Sequence, residues 1–138
     1  MGLISDFGGQ PDTTLTPKAA LLLSAITMTA IDGKIDDDEI AIISRLDDSG
    51  NTDAWDIAIS TWKLNSVDQC IALVAVALDE KQQLVALANM VDIALANGSW
   101  ASAEKDLLAA YCSAFNLQSS DVDRVMEVIA IKNDKSLF

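Results

Sequence analysis

Residues 30–39, AIDGKIDDDE, carry the side chains of this sequence that are best suited to binding a metal ion. Carboxylate oxygens are the ligands that hard cations prefer, and the spacing from Asp32 to Glu39 matches the second half of an EF-hand loop. The positions that would supply the first two acidic ligands hold Met28 and Ala30. Both belong to a preceding apolar helix, so the sequence does not predict an EF-hand.

Helix capping is the simplest explanation of the acidic run. Residues 36–39 would form the N-cap and first turn of a helix, where carboxylates interact favourably with the positive end of the helix dipole. Asp32 is different, because it falls at the C-terminal end of its helix, where a negative charge is unfavourable. Either Lys34 or a hard cation bound by Asp32, Glu39 and loop carbonyls would compensate that charge.

An internal repeat relates this loop to a second one further along the chain. The segment ANGSWASAEKDLL aligns with IDGKIDDDEIAII, and the apolar residues upstream of the two segments also correspond. The alignment shifts the chain by a constant number of residues, which we call the repeat offset. It places Asp32 on Asn97, Gly33 on Gly98, and Glu39 on Glu104. Each copy is typical of a helix, a tight Gly loop and a second helix with Glu in its first turn. We expect two helical hairpins whose loops lie together. Asp37 and Asp38 have no acidic counterpart in the second copy of the repeat.

The spacing of apolar residues along the whole chain predicts an all-α fold. It favours a compact bundle of about seven helices, beginning near residues 17, 36, 53, 67, 80, 102 and 121. Expected caps are Thr16, Ser66, Asp79, and a capping-box-like pair of Ser120 and Asp123. Residues 1–15 mix Gly, Pro and polar residues and predict a flexible N-terminal tail. Residues 16–138 predict a single helical domain.

Composition excludes several classes of function. The chain has a net charge of −12, which argues against binding to nucleic acid or to an anionic membrane surface. It has no histidine, the commonest general base and zinc ligand. No apolar run reaches the roughly 18 residues of a membrane span, and no signal-peptide cleavage site follows the first apolar segment. We expect a cytoplasmic protein without membrane insertion, in which Cys70 and Cys112 are reduced core residues.

Other candidate residues have competing explanations. Trp55, Ile59 and Trp62 have helical spacing, which is typical of a core stripe but also fits a ridge that binds a partner. Asp92 is either an exposed polar residue or a further ligand that reaches towards Asn97. Tyr111 has no base beside it in the sequence, and no pair of carboxylates is fixed at a catalytic separation. The sequence therefore favours a protein that is not an enzyme.

The two Asp/Asn-Gly loops and the helices around them resemble the TerB-like tellurite-resistance family. The resemblance covers about residues 17–132 and implies a seven-helix domain with an acidic surface that binds a divalent metal. It also implies a role in the bacterial response to tellurite and related stress, alongside other resistance proteins, some of them membrane-associated. The motif positions carried over are Asp32, Gly33, Asp36 and Glu39 in the first copy, and Asn97, Gly98 and Glu104 in the second. The chain departs from the family pattern at Asn97 and at Ala101, which lies opposite Asp36.

The predicted function is therefore a non-enzymatic, metal-binding stress-response domain. Its ligands would be Asp32, Asp36, Glu39, Asn97 and Glu104, and its ion calcium, magnesium or manganese, with no organic cofactor. Gly33 and Gly98 would let the backbone turn so that these oxygens converge. The alternative is an interaction module that docks a basic partner protein through its acidic face without a specific ion.

Overall fold

The computed structural model of the chain describes residues 15–31, 53–95 and 102–136. Every regular element within these ranges is an α-helix: α1 (Pro17–Ala30), α2 (Asp53–Leu64), α3 (Val67–Ala77), α4 (Glu80–Leu95), α5 (Ser102–Phe115) and α6 (Ser119–Asn133). The all-α prediction is therefore confirmed for the described part of the chain. The helix predicted to begin at Asp36 and the body of the predicted N-terminal tail lie outside it.

The first and third of these helices begin with the caps that the sequence predicts. The Ala19 N–H donates to Thr16 Oγ1 at 3.2 Å, and Pro17 occupies the first helical position, where its missing N–H costs nothing. At α3, the Gln69 N–H donates to Ser66 Oγ at 3.2 Å and the Ser66 N–H donates to Gln69 Oε1 at 2.8 Å. This reciprocal capping box satisfies two backbone donors that the helix itself leaves unpaired.

The junction between α3 and α4 is fixed by three polar side chains. Asp79 Oδ1 accepts from the Gln82 N–H at 2.8 Å, and Gln82 Oε1 accepts from the Asp79 N–H at 2.9 Å. The Gln83 amide donates to the carbonyls of Ala75 and Leu78, both at 3.2 Å. The start of α4 therefore also caps the end of α3, which turns the chain sharply between them.

The end of α5 is closed by a motif that the sequence analysis did not anticipate. Asn116 has a positive φ of 55°, a conformation that Asn adopts more readily than most residues. The Leu117 N–H donates to the Cys112 carbonyl at 3.2 Å and the Asn116 N–H donates to the Ser113 carbonyl at 3.1 Å. These two bonds form a Schellman motif, with Asn in the position that Gly usually takes.

The predicted capping pair of Ser120 and Asp123 is wrong. Helix α6 begins at Ser119, so Ser120 lies inside it, and the N-cap Gln118 makes no side-chain cap hydrogen bond. The Asp121 N–H donates to the Gln118 carbonyl at 3.1 Å. Sequence spacing alone does not show which of two adjacent serines begins the helix.

Helix α1 lies at the centre of the described structure. It packs against α2, α3, α4 and α5, while α4 also contacts α5 and α6. Nearly all of α1 is buried, which explains why its sequence is apolar on every side. Large side chains that are completely or almost completely buried form the centre of the core: Leu22, Leu23, Met28, Val74, Leu87, Met90, Val91, Ile93 and Tyr111.

Helices α1 and α4 correspond in position as well as in sequence. They end at Ala30 and Leu95, two positions that the repeat offset aligns. Helix α2 packs on α1, and α6 packs on α4. Three aligned pairs of apolar residues are buried in both α1 and α4: Leu22 with Leu87, Ile26 with Val91, and Met28 with Ile93.

None of the described helices is both long and apolar enough to cross a membrane.

Candidate functional site

One of the five predicted metal ligands, Glu104, lies within the described residues. Asp32, Asp36, Glu39 and Asn97 lie outside them, as do Gly33 and Gly98. The convergence of the two loops therefore stays a prediction. Among the residues that the structure describes, no three Cys, Asp or Glu side chains form a group that could hold a metal ion.

Glu104 is buried in the first turn of α5. Its residue is 1% exposed, and Leu107 and Leu108, on the next turn of the same helix, are 4% and 6% exposed. A carboxylate in the first turn benefits from the positive end of the helix dipole. Burial removes its hydration, so the charged form needs hydrogen bonds or a cation in exchange. The carboxylate of Glu104 therefore lies on the inner side of α5.

A buried hydrogen bond fastens the last turn of α1 to α5. The hydroxyl oxygens of Thr27 and Tyr111 lie 2.7 Å apart, and Thr27 Oγ1 also donates to the Ser24 carbonyl at 2.8 Å. Since Thr27 has one hydroxyl hydrogen, Tyr111 is the donor in the bond between them. Tyr111 follows Glu104 by about 10 Å along the axis of α5. The end of α1 is thus tied to the helix that carries Glu104.

Tyr111 itself is a neutral structural group. Its residue is fully buried, and its ring lies 5.6 Å from that of Phe115 in a tilted arrangement. Loss of hydration on burial raises the pKa of Tyr111 well above its ordinary value, and the hydrogen bond with Thr27 opposes this only in part. The phenol therefore stays protonated at physiological pH and donates a hydrogen bond.

A second polar cluster lies at the last turn of α4. Asp92 is 7% exposed, and its carboxylate oxygens accept from Lys132 Nζ at 3.0 and 3.1 Å. Asn133 Nδ2 donates to the same carboxylate at 3.1 Å. The interpretation of Asp92 as an exposed polar residue is wrong. No sequence signal marks this cluster, because Asp92 is far along the chain from Lys132 and Asn133 and meets them only when α6 packs on α4.

Thr29 carries a buried hydroxyl in the last turn of α1. It is 2% exposed, and its Oγ1 has no hydrogen-bond partner among the described residues. A buried hydroxyl without a partner is unfavourable by about 1–3 kcal/mol. Thr29 comes three residues before Asp32, the first of the predicted metal ligands in the sequence.

The remaining candidates divide between core and surface. Cys70 is fully buried and Cys112 is half-buried, and both are free thiols. Burial raises the pKa of both thiols, which keeps them protonated and unreactive. Trp55 and Trp62 are each 37% exposed, while Ile59 is half-buried. The tryptophan stripe therefore lies at the edge of the core, between the two interpretations that the sequence left open.

Comparisons of the chain with protein-family models, with curated proteins and with solved structures gave no match.

Proposed function

We propose that the chain is a non-enzymatic domain of the TerB-like type that binds one divalent cation. Asp32, Asp36 and Glu39 would supply most of the oxygen ligands, and Asn97 and Glu104 would complete the site from the second loop. Calcium, magnesium and manganese are the candidate ions, because all three accept carboxylate and carbonyl oxygens. No organic cofactor is involved.

The observation that supports this proposal best is the burial of Glu104. Surface carboxylates that only cap a helix are ordinarily hydrated, whereas this one is 1% exposed. A buried carboxylate on the helix that follows the second predicted loop in the sequence is a suitable oxygen ligand for a hard cation. The buried hydroxyl of Thr29, which has no hydrogen-bond partner among the described residues, is a second candidate oxygen, three residues before Asp32 in the sequence.

The arrangement of the helices supports a two-part site. Helices α1 and α4 contact each other, end at aligned positions of the repeat, and bury aligned apolar residues. Each is followed in the sequence by one of the two predicted Gly loops. Together with the outer packing of α2 on α1 and α6 on α4, this favours two related helical hairpins in one bundle of about seven helices.

The biological role we propose follows the family resemblance. The domain would act in a bacterial cytoplasm during tellurite-related stress, changing its contacts with other resistance proteins when the ion binds. Membrane-associated members of such a system would be reached through protein contacts.

A titration of metal-free protein with Ca²⁺, Mg²⁺ and Mn²⁺ tests the proposal. Amide NMR shifts for the diamagnetic ions, and line broadening for Mn²⁺, should saturate at one ion per chain. They should be largest near Gly33 and Gly98. The Asp32→Asn variant should lose the effect at least tenfold, since it removes a ligand charge. Diffuse shifts that do not saturate, and that are the same in the variant, would refute the site.

An adaptor that docks a basic protein is the second candidate. Exposed carboxylates at the start of α2, Asp53 and Asp56, favour it. Binding to an acidic surface loses little on removal of one charge and weakens steadily with salt, whereas an ion site fails on the loss of one ligand. The Asp32→Asn titration therefore separates the two candidates.

A further inference from the structure

Helix α3 is apolar on all of its sides except at its first turn. Residues 70–78 read CIALVAVAL, and no charged residue occurs between Asp68 and Asp79. Cys70, Ile71 and Val74 form the buried side, which packs on α1 and α5. A helix that is apolar all round is ordinarily buried all round. Helix α3 is a departure from this rule.

The outer side of α3 is open to solvent. Val76 is 89% exposed, Leu73 is 36% exposed, and Ala72 is also exposed. These residues are spaced as one helix face, with Leu73 and Val76 one turn apart. Helix α1, the other strongly apolar helix, is covered by four neighbours, whereas no described helix covers this face of α3. We call the surface formed by Ala72, Leu73 and Val76 the outer α3 face.

Carboxylates lie at both ends of α3. Asp68 lies exposed in the first turn of α3, and Asp79 and Glu80 lie exposed just beyond its last turn. The helical span from Asp68 to Ala77 is about 14 Å long. The nearest positive charges in the sequence, Lys63 and Lys81, lie outside these carboxylates.

The carboxylates at the two ends of α3 determine which kind of helix could bind to the outer α3 face. A second copy of the chain, packed antiparallel on the outer α3 face, would set the first turn of each helix against the last turn of the other. Carboxylates would then face carboxylates at both ends, which is unfavourable. A helix with an apolar centre and Lys or Arg at each end would instead pair at both ends and bury the central valine and leucine.

We propose that the outer α3 face docks an amphipathic helix of another protein, about three turns long, with basic residues at both ends. Leu and Ala side chains of that helix would pack on Ala72, Leu73 and Val76. Its basic residues would meet Asp68 at one end and Asp79 with Glu80 at the other. This surface contains none of the predicted metal ligands, so the inference does not depend on metal binding.

A pair of synthetic helical peptides tests this proposal. Both would be about 15 residues long, to form a helix at all, with an identical Leu/Ala centre. One would carry Lys at each end and the other Glu. Titrated into the ¹⁵N-labelled full chain, the Lys-ended peptide should give saturable shifts centred on Ala72, Leu73 and Val76. It should bind about tenfold more tightly than the Glu-ended peptide, and more weakly as salt rises.

Matched variants locate the binding. Val76→Lys should abolish the shifts, whereas Val128→Lys, a change of the 56%-exposed valine on α6, should leave them unchanged. Asp68→Asn should weaken binding of the Lys-ended peptide but not of the Glu-ended one. Both valines are exposed, so neither change should impair folding.

Three outcomes would overturn the proposal. One is the absence of saturable shifts on the outer α3 face up to about 1 mM Lys-ended peptide. Another is equal affinity for the two peptides, which would mean that the end charges do not select the partner. The third is a concentration-dependent dimer in sedimentation that Val76→Lys abolishes, which would identify a second copy as the occupant.

Discussion

The last turns of α1 and α4 are equivalent in the repeat, but they are attached to their neighbouring helices by different interactions. The repeat offset aligns Thr27 in α1 with Asp92 in α4. Thr27 accepts a hydrogen bond from the fully buried Tyr111 of α5. Asp92 accepts three hydrogen bonds from Lys132 and Asn133 at the end of α6. The contact between Thr27 and Tyr111 is uncharged and buried. The contact of Asp92 with Lys132 and Asn133 is charged, and its lysine is exposed to solvent.

We call the hydrogen-bonded contact that fixes the last turn of each helix its anchor. The difference shows that a repeated helix can keep its buried apolar positions while its anchor changes. The anchor of α1 depends on burial and is insensitive to salt. The anchor of α4 depends on an ion pair whose lysine side chain is 54% exposed, so salt screens it. Each anchor lies in the last turn of its helix, and each helix is followed in the sequence by one of the two predicted Gly loops. The two helices are thus held by contacts that respond to different conditions.

The largest expected effects concern what the two helices share. Leu22→Ala and Leu87→Ala remove aligned side chains that are both fully buried. Each should lower the free energy of unfolding by about 2–5 kcal/mol, because each leaves a cavity in the core. Urea denaturation checks this, with Val85→Ala on α4 as the control, since that side chain is 53% exposed and its loss should cost far less. A cost near that of Val85→Ala in one of the leucine variants would break the equivalence of the two helices.

Two buried threonines of α1 test how much the hydrogen bond between Thr27 and Tyr111 stabilises the fold. Thr27→Val leaves the Tyr111 hydroxyl without its acceptor and should cost about 1–3 kcal/mol. Thr29→Val removes a hydroxyl that has no partner among the described residues, so it should be neutral or stabilising. Thermal unfolding of both variants in metal-free buffer checks this. Equal destabilisation by the two changes would contradict the role given to Thr27.

The charged anchor should respond to salt. Lys132→Met leaves the Asp92 carboxylate with Asn133 alone and should cost about 1 kcal/mol in dilute buffer, since the lysine is half-exposed. The cost should shrink in about 1 M NaCl, where the Debye length is near 3 Å. Lys135→Met, also on the exposed C-terminal segment, is the control. A cost that does not change with salt would mean that packing of α6, not charge, fixes α4.

The smallest expected effect is a pH dependence. The pKa of Tyr111 is raised in the folded chain from its ordinary value of 10.0. Above about pH 10 the unfolded chain releases this proton while the folded chain keeps it, so the free energy of unfolding falls as pH rises. The two thiols, whose pKa values are raised from 9.0, act in the same direction. Tyr111→Phe should flatten the decline above pH 10 without abolishing it, as measured by denaturation at several alkaline pH values.

Local signals predicted the six helices of the described residues, although not the start of α6. The Thr16-Pro17 start of α1, the Ser66 cap of α3 and the Asp79 cap of α4 are set by side chains that bind backbone groups within the same helical turn. The same reasoning failed at Ser120, where two adjacent serines compete and neither supplies the cap. It also missed Asn116, because a positive φ at Asn is permitted by sequence and not required by it.

Contacts between distant helices could not be predicted in this way. The Tyr111 hydroxyl finds Thr27, and Asp92 finds Lys132, across long stretches of intervening chain. No local spacing encodes such pairs, which depend on how α5 and α6 pack. Of the predicted metal ligands, the first-turn position of Glu104 followed from helix spacing, while its burial did not. The prediction for the other four ligands lies outside the described residues.

A titration of Glu104→Gln with Ca²⁺ and Mn²⁺ tests most directly whether both loops form one site. Glu127→Gln, an exposed glutamate of α6, is the matched control, and metal-free unfolding of both variants separates binding from any loss of fold. We expect one ion per chain in the unmodified protein and in the control, with affinity at least tenfold lower in Glu104→Gln. Full affinity in a folded Glu104→Gln variant would contradict a site shared by the two loops.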